Sequence, residues 1–351
     1  MSEPTDHSAR SDSSLQLFAW QRESAAATLA ARARWPHALL IEGRRGIGKR
    51  ALALHFAQAL LCETPREDGG PCGVCASCGY VRAGAHPDLR VIEPIERDEE
   101  GDETPVEEIV VDRIRELIEF TQLTTHRQRA KVAVIIPAEA MNAAAANALL
   151  KTLEEPPAAT CLMLVSHQPG RLRATIVSRC QRLAAPEPEA AAAAKWLEEQ
   201  GAAESELLLA QAGGAPLLAL ALADPGVQRE RALLLAGLED PRKLSPIELG
   251  ARIDGYRKEE RKAVLADVVY WLLTWSADLA AAASGGTPRF HPDRREALGR
   301  LGTRVARLPL FRYYRALLQQ RELLGHPLVP RLVAESLLFE YRDLFIDANG
   351  S

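Results

Sequence analysis

The 351-residue chain predicts an α/β domain built on a parallel sheet and followed by two domains made only of helices. Three observations carry that prediction. Up to about residue 187, short apolar runs suited to buried strands alternate with stretches of helical periodicity, and strands separated by helices imply a parallel sheet covered on both faces. A glycine-rich turn, GRRGIGK from Gly43 to Lys49, stands between one such strand and one such helix. After Pro186-Glu-Pro188 the strand runs cease, and Ala- and Leu-rich helices follow, punctuated by Gly213-Gly214, Asp224-Pro225 and Gly285-Gly286. The expected divisions are a disordered polar tail at 1–14, the α/β domain at 15–187, a small helical domain at 188–226 and a larger one at 227–351.

The elements follow in order. The opening MSEPTDHSARSDSS is polar and lacks the apolar core of a signal peptide or anchor. His37–Glu42 (HALLIE) is a buried parallel strand, and Lys49–Cys62 has helical spacing, which puts Gly43 to Gly48 at a strand-to-helix turn. Asp88–Glu93 is a strand, followed by an acidic loop and a helix from about Glu107 to Leu123. Lys131–Ile136 is another apolar strand, and the helix Glu139–Glu154 stops at Pro156-Pro157. Thr160–Ser166 and Cys180–Ala184 complete the strands. In the helical part, Leu265–Ala283 is the most apolar stretch, but Asp267 and Asp278 stand where a membrane helix least tolerates charge, so it reads as a buried helix and the protein as cytosolic. Ala runs at 143–146 and 190–194 are helix formers rather than repeats.

A hydrophobic content of 47% bounds the chain as globular, and a formal charge of −4 argues against a bulk nucleic-acid binder. Local basic runs, His126–Lys131 (HRQRAK) and the arginines from Arg294 to Arg315, still allow a basic surface, although a solvated helix face or loop is the simpler reading.

The glycine-rich turn carries most of a phosphate-binding loop. Gly43, Gly46 and Gly48 let backbone N–H groups approach phosphate, and Lys49 is placed to reach the outer phosphates. The hydroxyl that should follow the lysine and bind Mg²⁺ is replaced by Arg50, which cannot ligate a metal. The second half of an ATPase site should follow the strand at 132–135 with an acid that holds Mg²⁺ and another that polarises water. Ile136 and Pro137 stand there, and Glu139, two residues on, reads as an exposed acid in a helix first turn. Two magnesium-handling positions are lost, so hydrolysis by this chain is not expected.

Of six cysteines, Cys62, Cys72, Cys75 and Cys78 cluster within CETPREDGGPCGVCASC. Four thiolates can surround Zn²⁺ tetrahedrally, and closure by four protein ligands makes the metal structural. An iron–sulfur cluster or a redox pair is the alternative for the same residues. Cys161 and Cys180 each adjoin a strand and read as buried thiols.

Asn147–Pro157 (NALLKTLEEPP) and Ser178-Arg179-Cys180, together with the degenerate loop, the cysteine cluster and Gly84-Ala-His-Pro-Asp88, resemble the signatures of bacterial clamp-loader subunits, members of the AAA+ family. The match is specific over 37–185. The resemblance implies an AAA+ domain carrying a zinc insertion, then a small helical lid domain and a helical collar. It implies a place in a hetero-pentameric ring with motor and delta subunits, a part of a DNA-directed DNA polymerase holoenzyme that loads a sliding clamp onto primed DNA. ATP would sit only on neighbouring subunits. Arg179 would reach a neighbour's ATP as an arginine finger, Ser178 and Cys180 would shape its loop, and Ser166 would match the polar phosphate sensor. The helix start Gly213-Gly-Ala-Pro-Leu-Leu218 lacks the arginine that motor subunits present. The collar faces would include Leu310, Phe311, Tyr314 and Leu317, which read otherwise as ordinary core. Two other functions compete: an ATP-hydrolysing motor subunit, favoured by Lys49, and a zinc-containing nucleic-acid-binding module, favoured by the cysteines and scattered arginines.

Overall fold

The computed structural model describes residues 16–31, 35–97, 103–258, 260–324 and 328–346; the expected tail at 1–14 lies outside them. The chain forms two compact units, residues 1–192 and 193–351.

The first unit contains β1 (Ala38–Glu42), β2 (Leu89–Ile92), β3 (Ile95–Arg97), β4 (Glu103–Pro105), β5 (Lys131–Ile135), β6 (Thr160–Ser166) and β7 (Gln181–Ala184). Five of them make one sheet in the order β2-β5-β6-β1-β7, with every pairing parallel. Strands β5 and β6 are buried at every position, as the unbroken apolar runs require of strands covered on both faces. Successive residues feed opposite layers. Leu39, Ile41, Val134 and Met163 pack with Leu52 and Phe56 on one face, whereas Leu40, Ile135, Leu162 and Leu164 pack with Ile114, Leu117 and Leu149 on the other.

The covering helices are α1 (Arg22–Ala30), α2 (Lys49–Leu61), α3 (Ala76–Arg82), α4 (Val111–Gln122), α5 (Ala143–Glu154) and α6 (Ala174–Val177). Three local readings change. Helix α5 starts at Ala143 rather than Glu139, because a 3₁₀ turn at Ala138–Ala140 intervenes and Asn142 caps the helix by accepting from the Ala145 amide at 2.9 Å. Helix α4 starts at Val111, not near 107. The segment expected as an acidic loop is flanked by an antiparallel ribbon of β3 and β4.

The second unit is helical: α7 (Ala190–Glu199), which enters it from the first, α8 (Ser205–Gln211), α9 (Pro216–Leu222), α10 (Pro225–Glu239), α11 (Pro246–Ile253), α12 (Arg261–Ala283), α13 (Arg295–Gly302), α14 (Arg307–Leu323) and α15 (Pro330–Ile346). One apolar cluster joins Leu197, Leu208, Leu209 and Leu222. A larger one surrounds α12, where Trp275 donates to Tyr341 Oη at 2.9 Å and Tyr341 donates to the Leu238 carbonyl at 2.9 Å. Helix α12 is long and apolar enough to cross a membrane, but it is the core helix of this unit. Its Asp278 is buried and satisfied by the amides of Arg289, Phe290 and His291 at 2.7 to 2.9 Å. On α14, Leu310 and Leu317 are buried seven residues apart on one face and Tyr314 is half-buried between them. Phe311, expected with them, is rotated off that face and is 50% exposed.

Candidate functional site

The loop Gly43–Gly48 joins β1 to α2 and takes positive φ at Gly46 (84°) and Gly48 (90°), where a side chain would be strained. Gly48 is also crowded, since a Cβ there would come within 2.4 Å of the Phe18 ring. The segment before α1 is laid against this loop. Trp20 Nε1 donates to the Ile47 carbonyl at 3.0 Å, and Gln21 Nε2 donates to the carbonyls of Ile47 and Gly48 at 3.2 and 2.9 Å. Lys49 is buried, and its Nζ donates to the Gly43 carbonyl at 2.6 Å and to the Arg44 carbonyl. The amine is thus turned onto its own loop. Burial lowers its pKa to about 8, with Glu139 and Glu187 opposing the shift. Arg50 faces Glu93, with Nε 2.9 Å from Oε1.

At the carboxyl end of β5, Ile136 is buried and Pro137 follows, so no side-chain oxygen occupies either position. Glu139 departs from the expected exposed helical acid. It is half-buried in the 3₁₀ turn, and its Oε1 accepts from the amides of His167 and Gln168 at 2.8 and 3.1 Å. Ser166, fully buried at the end of β6, accepts from the Gln168 amide at 3.2 Å. Burial first, and then the Lys49 charge, lower His167 to about 4, so its ring is neutral near pH 7. The sequence missed Glu139 as a brace for the loop after β6, because only the tertiary fold brings 139 beside 167.

Arg179 stands just after the short helix α6. Its Nη1 donates to the Thr175 carbonyl at 2.9 Å and to Ser178 Oγ at 3.3 Å, and its Nη2 lies 2.6 Å from Glu154 Oε1. Ser178 Oγ donates to the Thr175 carbonyl at 3.2 Å, which tightens the same turn. Cys180 is half-buried, and burial pushes its thiol up to about 11. Glu154 is thus a partner that the sequence motif contained but did not single out.

The four clustered cysteines bring their sulfurs within 4.8 Å of one another. Cys62 and Cys75 sulfurs lie 3.9 Å apart and those of Cys72 and Cys78 4.0 Å apart. Tetrahedral coordination with Zn–S bonds of about 2.3 Å needs sulfurs about 3.8 Å apart, so the donor set fits one ion. Backbone amides already point at these sulfurs: Cys72 N to Cys62 Sγ, Cys75 N to Cys72 Sγ and Cys78 N to Cys75 Sγ, at 3.3 to 3.4 Å. Cys75 also caps α3 through the last of these bonds. The Thr64 side chain and the amides of Val74 and Cys75 lower Cys72 to about 6, whereas burial raises Cys62 and Cys78. Cys161 is buried and accepts from Trp35 Nε1 at 3.1 Å.

The basic run His126–Lys131 is engaged within the protein. Arg127 Nη1 donates to Glu63 at 2.7 Å, and Arg129 donates to the Cys62 carbonyl at 3.1 and 2.7 Å. Lys131 is buried 3.2 Å from Asp88.

A five-stranded parallel sheet with a glycine-rich turn between β1 and α2 defines an α/β domain of the P-loop type. The family model described as "DNA polymerase III, delta subunit" matches residues 23–189. The chain is 45% identical to DNA polymerase III subunit delta' of Pseudomonas aeruginosa over 227 residues, 64% of this chain and 66% of that protein. To the delta' subunit of Haemophilus influenzae it is 32% identical over 246 residues, covering 69% and 70% of the two chains. To that of Escherichia coli it is 40% identical over 190 residues, covering 53% and 54%. The chain belongs to the family of DNA polymerase III delta' subunits. The match spans about two thirds of the Pseudomonas protein and about half of the Escherichia one.

Proposed function

We propose that this chain is a non-hydrolysing delta' member of a clamp loader, a ring of motor and delta subunits that uses ATP on neighbouring subunits to place a sliding clamp on primed DNA. The observation that carries the reading is the state of its own nucleotide site. Arg50 and Ile136-Pro137 offer no oxygen to Mg²⁺, and Lys49 is spent on the carbonyls of Gly43 and Arg44. A phosphoryl-transfer site depends on metal and positioned charge, and this one lacks the usual side-chain ligands for the metal and has its lysine engaged by the loop.

Arg179 is the residue proposed to act on a neighbour's ATP, with Ser178 and Cys180 shaping its turn. The four cysteines would hold structural zinc, whose bonds would tie the segment after α2 into one module. In the helical part, residues 188–226 and 227–351 are read as a lid and a collar. The exposed Leu308 and Phe311 on α14 suit burial against other subunits. A place in the bacterial cytoplasm follows from this role.

Reconstitution with and without the chain tests the proposal. Clamp- and DNA-stimulated ATP hydrolysis by the motor subunits should require it, and the purified chain alone should show no turnover. Turnover by the chain alone that Lys49→Ala abolishes would establish the motor reading instead.

A further inference from the structure

The motif Gly84-Ala-His-Pro-Asp88 has no part in the proposed ring chemistry, yet two of its side chains are almost wholly buried: His86 is 2% exposed and Asp88 0%. Their hydrogen bonds have one direction. The Asp88 amide donates to His86 Nδ1 at 3.0 Å, so the neutral ring carries its proton on Nε2. That Nε2–H donates to Ser77 Oγ at 3.2 Å, and Ser77 in turn donates to Glu63 Oε1 at 3.1 Å. Ser77 lies between the ligand positions Cys75 and Cys78, and Glu63 directly follows Cys62. On the other side, the Asp88 carboxylate accepts from the amides of His126 at 3.0 and 3.1 Å and Arg127 at 3.1 Å, and from Lys131 Nζ at 3.2 Å. Two arginines close the circuit, Arg127 onto Glu63 and Arg129 onto the carbonyl of Cys62.

Both halves of the cysteine module are therefore bonded to one loop, the Cys75–Cys78 half through the His86 imidazole and the Cys62 half directly through Arg127 and Arg129. We propose that His86 is a positioning residue through which metal binding at Cys62, Cys72, Cys75 and Cys78 fixes the loop His126–Lys131 and the edge strand β2. With the ion bound, Ser77 and Glu63 are held at set places, His86 is oriented by Ser77, and Asp88 is presented to the loop amides. Val132 N, which donates to the Asp88 carbonyl at 2.9 Å, carries the same order into β5. Without the ion the two ends of the module separate, and the loop loses its anchor although it ligates nothing.

This inference rests on the metal reading, and the experiment separates the two. Cobalt(II) is added to the metal-stripped full-length chain and its ligand-field spectrum recorded. Amide hydrogen exchange over 124–132 is then compared with and without the metal, in the unaltered chain and in Ser77→Ala. A tetrahedral thiolate spectrum with exchange at His126 and Arg127 at least tenfold slower in the loaded protein is expected. Ser77→Ala, a small change that leaves all four ligands, should still bind cobalt but lose about threefold or more of that slowing, the arginine links to Glu63 and Cys62 remaining; His86→Asn, which keeps an acceptor for the Asp88 amide but is too short to reach Ser77, should behave likewise. A chain that takes up no cobalt refutes the metal assignment and the coupling together. Normal cobalt binding with the same loop exchange in the loaded and stripped chain, or in Ser77→Ala and the unaltered chain, refutes the coupling alone.

Discussion

Replacing Arg179 by alanine tests the functional reading at its sharpest point. A guanidinium supplied to a neighbour's ATP is worth about 10³ to 10⁵ in rate, or about 4 to 7 kcal/mol. The interaction that holds Arg179 at rest is much weaker. Its partner Glu154 is 49% exposed and Arg179 itself 34%, and ion pairs at such positions contribute about 0 to 1 kcal/mol. Leaving Glu154 therefore costs at most about fivefold, and giving up the exposed bonds to the Thr175 carbonyl and Ser178 Oγ costs about 1 kcal/mol each, together still less than the gain at a phosphate. The half-exposed site also means that Arg179→Ala should fold and assemble normally. In a complex reconstituted with clamp and primed DNA, single-turnover hydrolysis at the neighbouring site should fall by about a thousandfold or more. Arg179→Lys should recover only part of it, because an ammonium lacks the planar fork. Glu154→Gln should stay within about fivefold of the unaltered protein. Single-turnover hydrolysis within twofold of normal for Arg179→Ala would remove the finger assignment.

Three further outcomes centre on the first unit, the two concerning Asp88 and Lys49 being read by native-state hydrogen exchange along β5 and α2. Asp88→Asn strands the buried Lys131 and should cost about 3 to 5 kcal/mol, most of it recovered by adding Lys131→Met. Burial pushes the Asp88 pKa up, but the His126 and Arg127 amides and Lys131 outweigh it and hold the group below the usual carboxylate range; its contribution is thus complete above about pH 5 and is lost as pH falls through the folded value. Lys49 has the opposite charge and the same direction of shift. With a folded pKa of about 8 against 10.5, stability falls as pH drops from 10.5 to 8, by about 3 kcal/mol at most, and the whole penalty is present below 8. Lys49→Met should therefore stabilise the chain at pH 7 by about 1 to 2 kcal/mol, after two lost hydrogen bonds, and the gain should shrink above pH 8. Finally, elemental analysis should find one zinc per chain, and a strong chelator should expose α3 to protease while leaving α12 protected.

The strands were legible because parallel strands buried on both faces read as unbroken apolar runs, and β1, β5 and β6 have no polar residue in the middle. The helix at Ala143 was misplaced by four residues because Glu139 suits a helical first turn as well as a 3₁₀ turn. What settles it is Asn142, whose cap is a local signal that was passed over. The missing metal ligands at 50, 136 and 137 could be read letter by letter. The brace from Glu139 to the amides of 167 and 168, the Phe18 ring over Gly48 and the pairing of Arg179 with Glu154 could not, since each joins residues more than twenty positions apart. The basic run at 126–131 is, up to Ala130, a largely exposed loop, the simpler of its two readings, but the partners of its cations, Glu63, the Cys62 carbonyl and Asp88, could not be read because all are distant in sequence.

The retained letters of the phosphate loop do not by themselves argue for a nucleotide. Gly48 is required here by a φ of 90° and by a ring 2.4 Å from where its Cβ would stand. Lys49 gives its donors to two loop carbonyls, bonds that do not offset the cost of burying its charge. Gly48 thus has a structural task that persists whether or not phosphate ever enters. Positions 50 and 136 carry no side-chain oxygen: Arg50 turns to Glu93 and Ile136 enters the core. A motif judged by its glycines and lysine therefore reports the turn, and only its metal ligands report the chemistry. By that criterion the first unit keeps the turn for its own packing, and in the proposed reading Arg179 leaves its contacts with Thr175, Ser178 and Glu154 to act on a nucleotide held elsewhere.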